Sequence, residues 1–237
     1  MQQHFGLKLR ASKYGYKLTR ENYVVVDNKN SFYPKVNLNP GLRKTYEQFR
    51  LNYKRLGFEP YTDDTYTVYT DEWCKWHYEN CMKNFDWNMK FFSSLDREKF
   101  NAAINEFLTR NQEFIPVLDL NIYRGVSGYY MMVLDDYCQI YIGTAKDITK
   151  RIRTHWINRK PFDRILLPHG NIQSIISIDS FRALDTTRIY VAASDNLYEN
   201  EDKYICDIPG EFCSNRFSGG LITTPLPSNV KTRHVID

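Results

Sequence analysis

A chain of 237 residues, 42% hydrophobic, 15% aromatic and carrying a net charge of +4, is long enough to bury one large core or a smaller domain with an extension. No run of eighteen apolar residues occurs and residues 1–10 hold no apolar stretch of signal-peptide length, so neither a membrane span nor secretion is expected. The five cysteines (Cys74, Cys81, Cys138, Cys206 and Cys213) are odd in number and widely spaced, which fits a reducing, intracellular setting, cytoplasmic by default.

Positive charge is concentrated at the N-terminus. Residues 1–60 carry 12 Lys and Arg against 4 Asp and Glu, whereas residues 61–120 carry 6 against 11. Lys8, Arg10, Lys13, Lys17 and Arg20 alternate with Tyr14, Tyr16 and Tyr23; a second cluster, Arg43, Lys44, Arg50, Lys54 and Arg55, is interleaved with Tyr46, Phe49 and Tyr53. Basic groups meet phosphates without reading sequence, and aromatic rings can stack on bases. Lys13, Lys17, Arg20, Arg43 and Lys44 are therefore candidate DNA contacts. For the second cluster a solvated helix serves equally well, because Leu42, Tyr46, Phe49, Tyr53 and Leu56 recur at helical spacing.

Further along, residues 23–27 form a β-branched run and 37–41 a loop. The tryptophan-rich stretch 71–92 is predicted helical. Its Cys74, His77 and Cys81 share a face at spacings that zinc ligands use, but no fourth ligand is near, and small or aromatic residues on a buried face are the commoner meaning. Residues 95–111 predict a second helix, with Ser94 or Asp96 as cap and Phe100, Ala103, Ile104 and Phe107 on one face. A strand is expected over 114–120. The boundary between an N-terminal region (1–120) and a C-terminal module (121–237) falls there.

In the C-terminal module, 128–134 and 138–142 are apolar and tyrosine-rich, and Asp135, Asp136 and Tyr137 between them are turn material, so a hairpin is expected. A helix capped by Asp147 follows, to about residue 158. Ile148, Arg151, Ile152 and His155 lie three and four apart, which places Arg151 and His155 on a face with apolar residues. Residues 171–178 fit a strand or a helix, 187–193 a strand, and 195–207 a helix on whose stripe Glu201 stands among Leu197, Ile205 and Ile208. A charge in such a stripe requires a partner. An Arg151–Glu201 ion pair would satisfy both, as would a bound phosphate and a metal ion. His169 is a loop histidine that could face DNA, and the tail from residue 218 is irregular.

Gly128-Tyr129-Tyr130, Tyr141-Ile142-Gly143, an arginine and a histidine at fixed offsets, and a downstream stripe-breaking glutamate together resemble the GIY-YIG nuclease family over roughly residues 124–220. The resemblance implies an α+β fold for this module, a small antiparallel β-sheet flanked by helices; the N-terminal region before it resembles no family and reads as mixed and largely helical. The resemblance implies one active site made of Tyr130, Tyr141, Arg151, His155, Glu201 and Asn215, with Lys146, Lys150 and Arg153 as DNA contacts beside it. Glu201 would hold Mg2+ (or Mn2+), Glu199 being the competing ligand, and Arg151 would neutralise charge on the phosphate. Tyr130, Tyr141 and His155 compete for the role of general base. The chain departs from the family at Tyr129, where an aliphatic residue is usual, and at Thr144, where some relatives carry lysine. A restriction-type DNA endonuclease is the leading expectation, because homing relatives usually place the module first. Structure-specific, repair-type or homing nucleases follow, then an inactive nucleic-acid-binding protein. A homodimer would let two single-strand sites cut a duplex.

Overall fold

The structure, a computed structural model, describes residues 3–9, 16–23, 51, 71–157 and 174–216, with the backbone alone at 71–74, 76 and 77. Lys13, Arg43, Lys44, His169, the side chains of Cys74 and His77, the tail beyond 216 and the whole second basic cluster lie outside these residues.

The organising element is a strand buried on both faces. Strand β4 (Gly128–Leu134) has no exposed residue and pairs antiparallel with β5 (Gln139–Ala145) on one side and β6 (Arg188–Ala193) on the other. β3 (Ile115–Pro116) completes the sheet in the order β3-β6-β4-β5. A strand covered on both faces reads as an unbroken apolar run instead of an alternating one, and Tyr129-Tyr130-Met131-Met132-Val133-Leu134 is such a run. A separate two-stranded hairpin, β1 (Gln3–His4) with β2 (Leu7–Lys8), lies at the N-terminus. The fold is thus α+β, with two small antiparallel sheets and helices.

Helices cover the two faces of the main sheet separately. α2 (Asp71–Ser93) and α4 (Ile148–Ile157) share a core with the even-numbered face of β4: Cys81, Met82, Phe85 and Phe92 join Tyr130, Met132, Leu134, Ile152 and Trp156. Leu7, Leu18 and Tyr23 belong to the same core, Tyr23 from the short helix α1 (Arg20–Tyr23). α3 (Arg97–Arg110) and α5 (Glu201–Cys206) cover the odd-numbered face, where Phe100, Ile104 and Phe107 meet Tyr129, Met131, Val133, Tyr204 and Ile205. Each fully buried side chain of this size contributes roughly 1.5–3 kcal/mol. Residues on both sides of position 120 therefore build each core.

Most expected elements form where the local chemistry demands them. Asp96 caps α3 by accepting from Glu98 N and Lys99 N, and Asp147 caps α4 by accepting from Lys150 N at 2.8 Å. The hairpin turns through a single 3-10 turn at Asp135–Tyr137, followed by Cys138 in the left-handed region.

Three expectations are corrected. The strand expected over 114–120 is only Ile115–Pro116, after which a 3-10 turn at Leu120–Tyr123 takes over, capped by Asp119. The described part of 171–178 forms no continuous strand: Ser174 makes a single bridge, 175–177 are irregular and a 3-10 turn begins at Ile178, while Asn88 Nδ2 donates to the Ser174 carbonyl and Arg216 Nε to that of Ile175. The helix expected over 195–207 begins only at Glu201. Asn196 N bonds back to Ser194 Oγ, and Tyr198 adopts φ +73, which no helix tolerates. Among the described residues no helix is long and apolar enough to cross a membrane.

Candidate active site

Two glycines set the geometry. Tyr130 and Gly143 face each other across β4 and β5, and the Tyr130 ring lies over the space where a side chain at 143 would start. A Cβ there would stand 2.4 Å from the Tyr130 hydroxyl and 2.5 Å from its Cζ. Gly128, at φ +147, similarly admits the carbonyl of Ala192, which a Cβ would meet at 2.2 Å. The glycines of the two sequence strings thus permit close approach, one of a ring and one of a backbone.

A cleft of about 650 Å³ opens where β5 passes into α4. Tyr130 and Tyr141 line it together with Thr144, Lys146, Lys150, Arg151, Tyr198 and Glu201. Tyr130 is fully buried although it contributes to the cleft wall, and Tyr141 is half-buried with its ring centroid 6.2 Å from that of Tyr130. Arg151, Lys146 and Lys150 are exposed. These three cations outnumber the carboxylates of Glu201 and Asp147 in the lining, which suits an anionic substrate. No ion pair joins Arg151 to Glu201 among the described residues. Glu199 is exposed and does not line the cleft, whereas Glu201 is half-buried and does.

His155 is placed differently from a residue that meets solvent. Its side chain is buried and takes no part in the cleft lining. Nε2 lies 2.8 Å from the Tyr130 hydroxyl, and Nδ1 is hydrogen-bonded to Asp179 Oδ1. The Tyr141 ring packs edge-on against the imidazole, centroids 5.3 Å apart. Tyr130 therefore stands between the cleft and His155.

Electrostatics at the two tyrosines pull in opposite directions. Burial pushes the Tyr130 hydroxyl well above the usual tyrosine value and Tyr141 adds to the rise, while Arg151 draws it back. For Tyr141 burial again dominates, opposed by Arg151, and leaves the group at about 12. Burial raises Tyr137 and Tyr204 as well. A hydroxyl whose folded pKa exceeds the unfolded value, ~10, contributes stability that is complete below pH ~10 and is lost as pH rises through the folded value. The protein should therefore unfold steeply in alkali, from about pH 10 to 12 for Tyr141. Circular dichroism against pH, beside Tyr141→Phe, checks this: the variant should lose a smaller share of its neutral-pH stability over that interval.

Asn215 belongs to the frame of the site. Its Oδ1 accepts from Ile142 N at 3.0 Å and its Nδ2 donates to Ile142 O at 2.7 Å, and it does not line the cleft. Both polar ends are thus committed to holding β5 beside Tyr141, so Asn215, expected in the active site, stands outside the cleft lining and holds the strand that carries Tyr141. Lys17 pairs with Asp136 and Arg20 with Asp86 in a two-point contact. The first pair sits at the hairpin turn, the end of the sheet away from Lys146, so neither residue joins the cleft. Arg153 is exposed on α4 outside the lining.

Two contributors carried no signal recognised in the sequence. Asp179 lies 24 residues beyond His155, at no spacing that a rule would flag. Tyr129 was visible only as a departure from an aliphatic residue, yet a buried tyrosine hydroxyl requires a partner. It donates to Asn196 O and accepts from Asn200 N at 3.2 Å, pinning the loop that leads into Glu201. Tyr129→Phe should cost about 1–2 kcal/mol, since both backbone groups lose their partner, and lower Tm by about 2–8 °C. Thermal melts of the variant beside the wild type would show the loss.

Among the described residues no group of three His, Cys, Asp or Glu side chains comes together. A hydrated Mg2+ does not need one: one or two carboxylates with water and phosphate oxygens suffice, and Glu201 on the cleft wall fits that demand. In comparisons with known proteins, no family model matches the chain, and neither a curated protein nor a solved structure matches it.

Proposed function

We propose that the protein is a Mg2+-dependent DNA endonuclease of the GIY-YIG type, hydrolysing phosphodiester bonds. The observation that carries the reading is the convergence of Tyr130, Tyr141, Arg151 and Glu201, from four separate elements, on one cleft with a cationic rim. The restriction-type assignment rests on the order of regions in the sequence, with the nuclease-like module second.

The part each residue plays follows from its place. Lys146 and Lys150 draw the DNA backbone to the rim, a sequence-independent attraction that weakens with salt. Arg151 faces the scissile phosphate and stabilises the charge that grows on its oxygens as the phosphorus becomes five-coordinate. Glu201 is the residue that would hold the divalent ion. Such an ion, when bound, neutralises the phosphate and the leaving oxygen. Tyr141 bounds the cleft and presents its hydroxyl to the attacking water. A proton leaving that water reaches a tyrosine oxygen before it can reach His155, because His155 lies behind Tyr130. A standing phenolate would be expensive: bringing even an unperturbed tyrosine from ~10 to 7 costs about 4 kcal/mol, and burial raises that cost. Passing the Tyr130 proton to His155 as the water gives up its own avoids the standing charge.

The test is incubation of the purified chain with supercoiled and linear DNA of mixed sequence, with Mg2+ and with a chelator. Discrete Mg2+-dependent fragments are expected. Nicked circles or a smear would point to a structure-directed nuclease, and DNA binding without any cleavage would overturn the enzyme reading in favour of a binding protein.

A further inference from the structure

Behind His155 lies a buried acid that the cleft itself does not use. Asp179 is 7% exposed and sits in the single 3-10 turn Ile178–Ser180, closed by the Ser177 hydroxyl. A carboxylate withdrawn from water is costly unless a charged or hydrogen-bonding partner compensates. Its Oδ1 meets His155 Nδ1. An ionised carboxylate only accepts, so this contact puts the imidazole proton on Nδ1 and leaves Nε2 as an acceptor 2.8 Å from the Tyr130 hydroxyl. Among the described residues, Tyr130 from β4, Tyr141 from β5, Asp179 from the turn and Arg151 one turn earlier on α4 are titratable or charged groups beside the imidazole. Arg182 reaches the Asp179 backbone oxygen at 3.3 Å.

We propose that Asp179 is the positioning residue of a buried proton relay, holding His155 so that Nε2 takes the Tyr130 proton as Tyr130 takes one from the attacking water. The inference rests on the phosphodiester-hydrolysis reading. In the step, water gives one proton to the Tyr130 oxygen, and the proton already there moves to His155 Nε2. The hydroxide oxygen bonds to phosphorus while the bond from phosphorus to the leaving oxygen breaks, and that oxygen takes a proton from cleft water. The imidazolium is left facing Asp179, which stays ionised, and the relay resets when Nε2 loses its extra proton. An acid positioned in this way fixes the tautomer and supports the cation without being protonated itself.

The experiment combines a resonance measurement on the DNA-free protein with cleavage rates. In wild type, nitrogen-detected spectra of His155 should show the proton on Nδ1, deshielded by its hydrogen bond to Asp179. In Asp179→Asn that signal should vanish and single-turnover cleavage should fall by about 10²- to 10⁴-fold. The acid limb of the rate–pH profile should move to lower pH, because a neutral amide no longer favours the imidazolium, and Asp179→Glu should recover part of the rate. Circular dichroism confirms that each variant is folded. A misfolded Asp179→Asn leaves the decision to the wild-type resonance and to Asp179→Glu. A wild-type proton on Nε2, or a folded Asp179→Asn that cleaves at the wild-type rate with an unchanged profile, overturns the relay while the nuclease reading stands. A wild type that cleaves no DNA overturns the nuclease reading itself, and the relay's catalytic role with it.

Discussion

Glu201→Ala should abolish Mg2+-dependent cleavage, with a loss of roughly 10³-fold or more, while DNA binding at low salt stays within a few-fold of wild type. Charge stabilisation at a scissile phosphate is worth several kcal/mol, and about 4 kcal/mol is a factor of 10³, which sets the size of the loss. No other carboxylate of the lining stands ready to replace it, because Asp147, the second acid there, has its Oδ1 engaged in capping α4. The fold should be indifferent to the change. Glu201 is half-buried at the first turn of a six-residue helix whose core contacts come from Tyr204 and Ile205. A plasmid-cleavage time course with a Mg2+ titration measures the loss. Restoration of cleavage by excess Mg2+ would show weakened ion binding with an intact reaction path. Full activity at ordinary Mg2+ would remove Glu201 from the site.

Tyr130→Phe is the second large effect, and it separates the hydroxyl from the ring. The phenyl ring still fills its place over Gly143 and within the core, so packing survives. Loss of the hydroxyl takes this partner from His155 Nε2, at a cost of roughly 1–3 kcal/mol for a buried polar atom. Single-turnover cleavage should fall by about 10²- to 10⁴-fold, the usual worth of a positioned acid or base. Tyr141→Phe should be milder, because no comparable bond to His155 is found for it. Equal losses in the two variants would mean that the reaction does not distinguish the residue in front of His155 from its neighbour.

The parts of this arrangement that were legible in the sequence are those set by short-range rules. The hairpin was legible because two apolar runs flank Asp135-Asp136-Tyr137, and α4 because Asp147 precedes an amphipathic stripe. The cap of α3 at Asp96 and its buried face followed from the same logic. What escaped depends on partners remote in the chain. The stripe Leu197, Glu201, Ile205, Ile208 suggested a continuous helix, but Tyr129, some seventy positions earlier, holds Asn196 and Asn200 in a loop. The apolar run near Ile175 reads as a strand, but it keeps only a bridge at Ser174, and its carbonyls at 174 and 175 are met by the remote side chains of Asn88 and Arg216. For the site, Tyr130, Tyr141, Arg151 and Glu201, expected to share one active site, line one cleft. His155 was named without its depth, Asn215 without its attachment to Ile142, and Asp179 not at all.

That attachment has a consequence at the rim of the sheet. β5 is an outer strand, and an outer strand leaves a row of backbone groups open to any chain that can pair with it. Here the protein occupies part of the row itself, at Ile140 and Ile142. Ser214 N bonds the Ile140 carbonyl at 2.8 Å, and the Asn215 amide meets both backbone groups of Ile142. The side chain acts as a one-residue substitute for a missing strand. Along Ile140 and Ile142 the edge of the sheet is therefore closed to a foreign strand, and the register of β5 beside Tyr141 is held by the chain's own C-terminal segment.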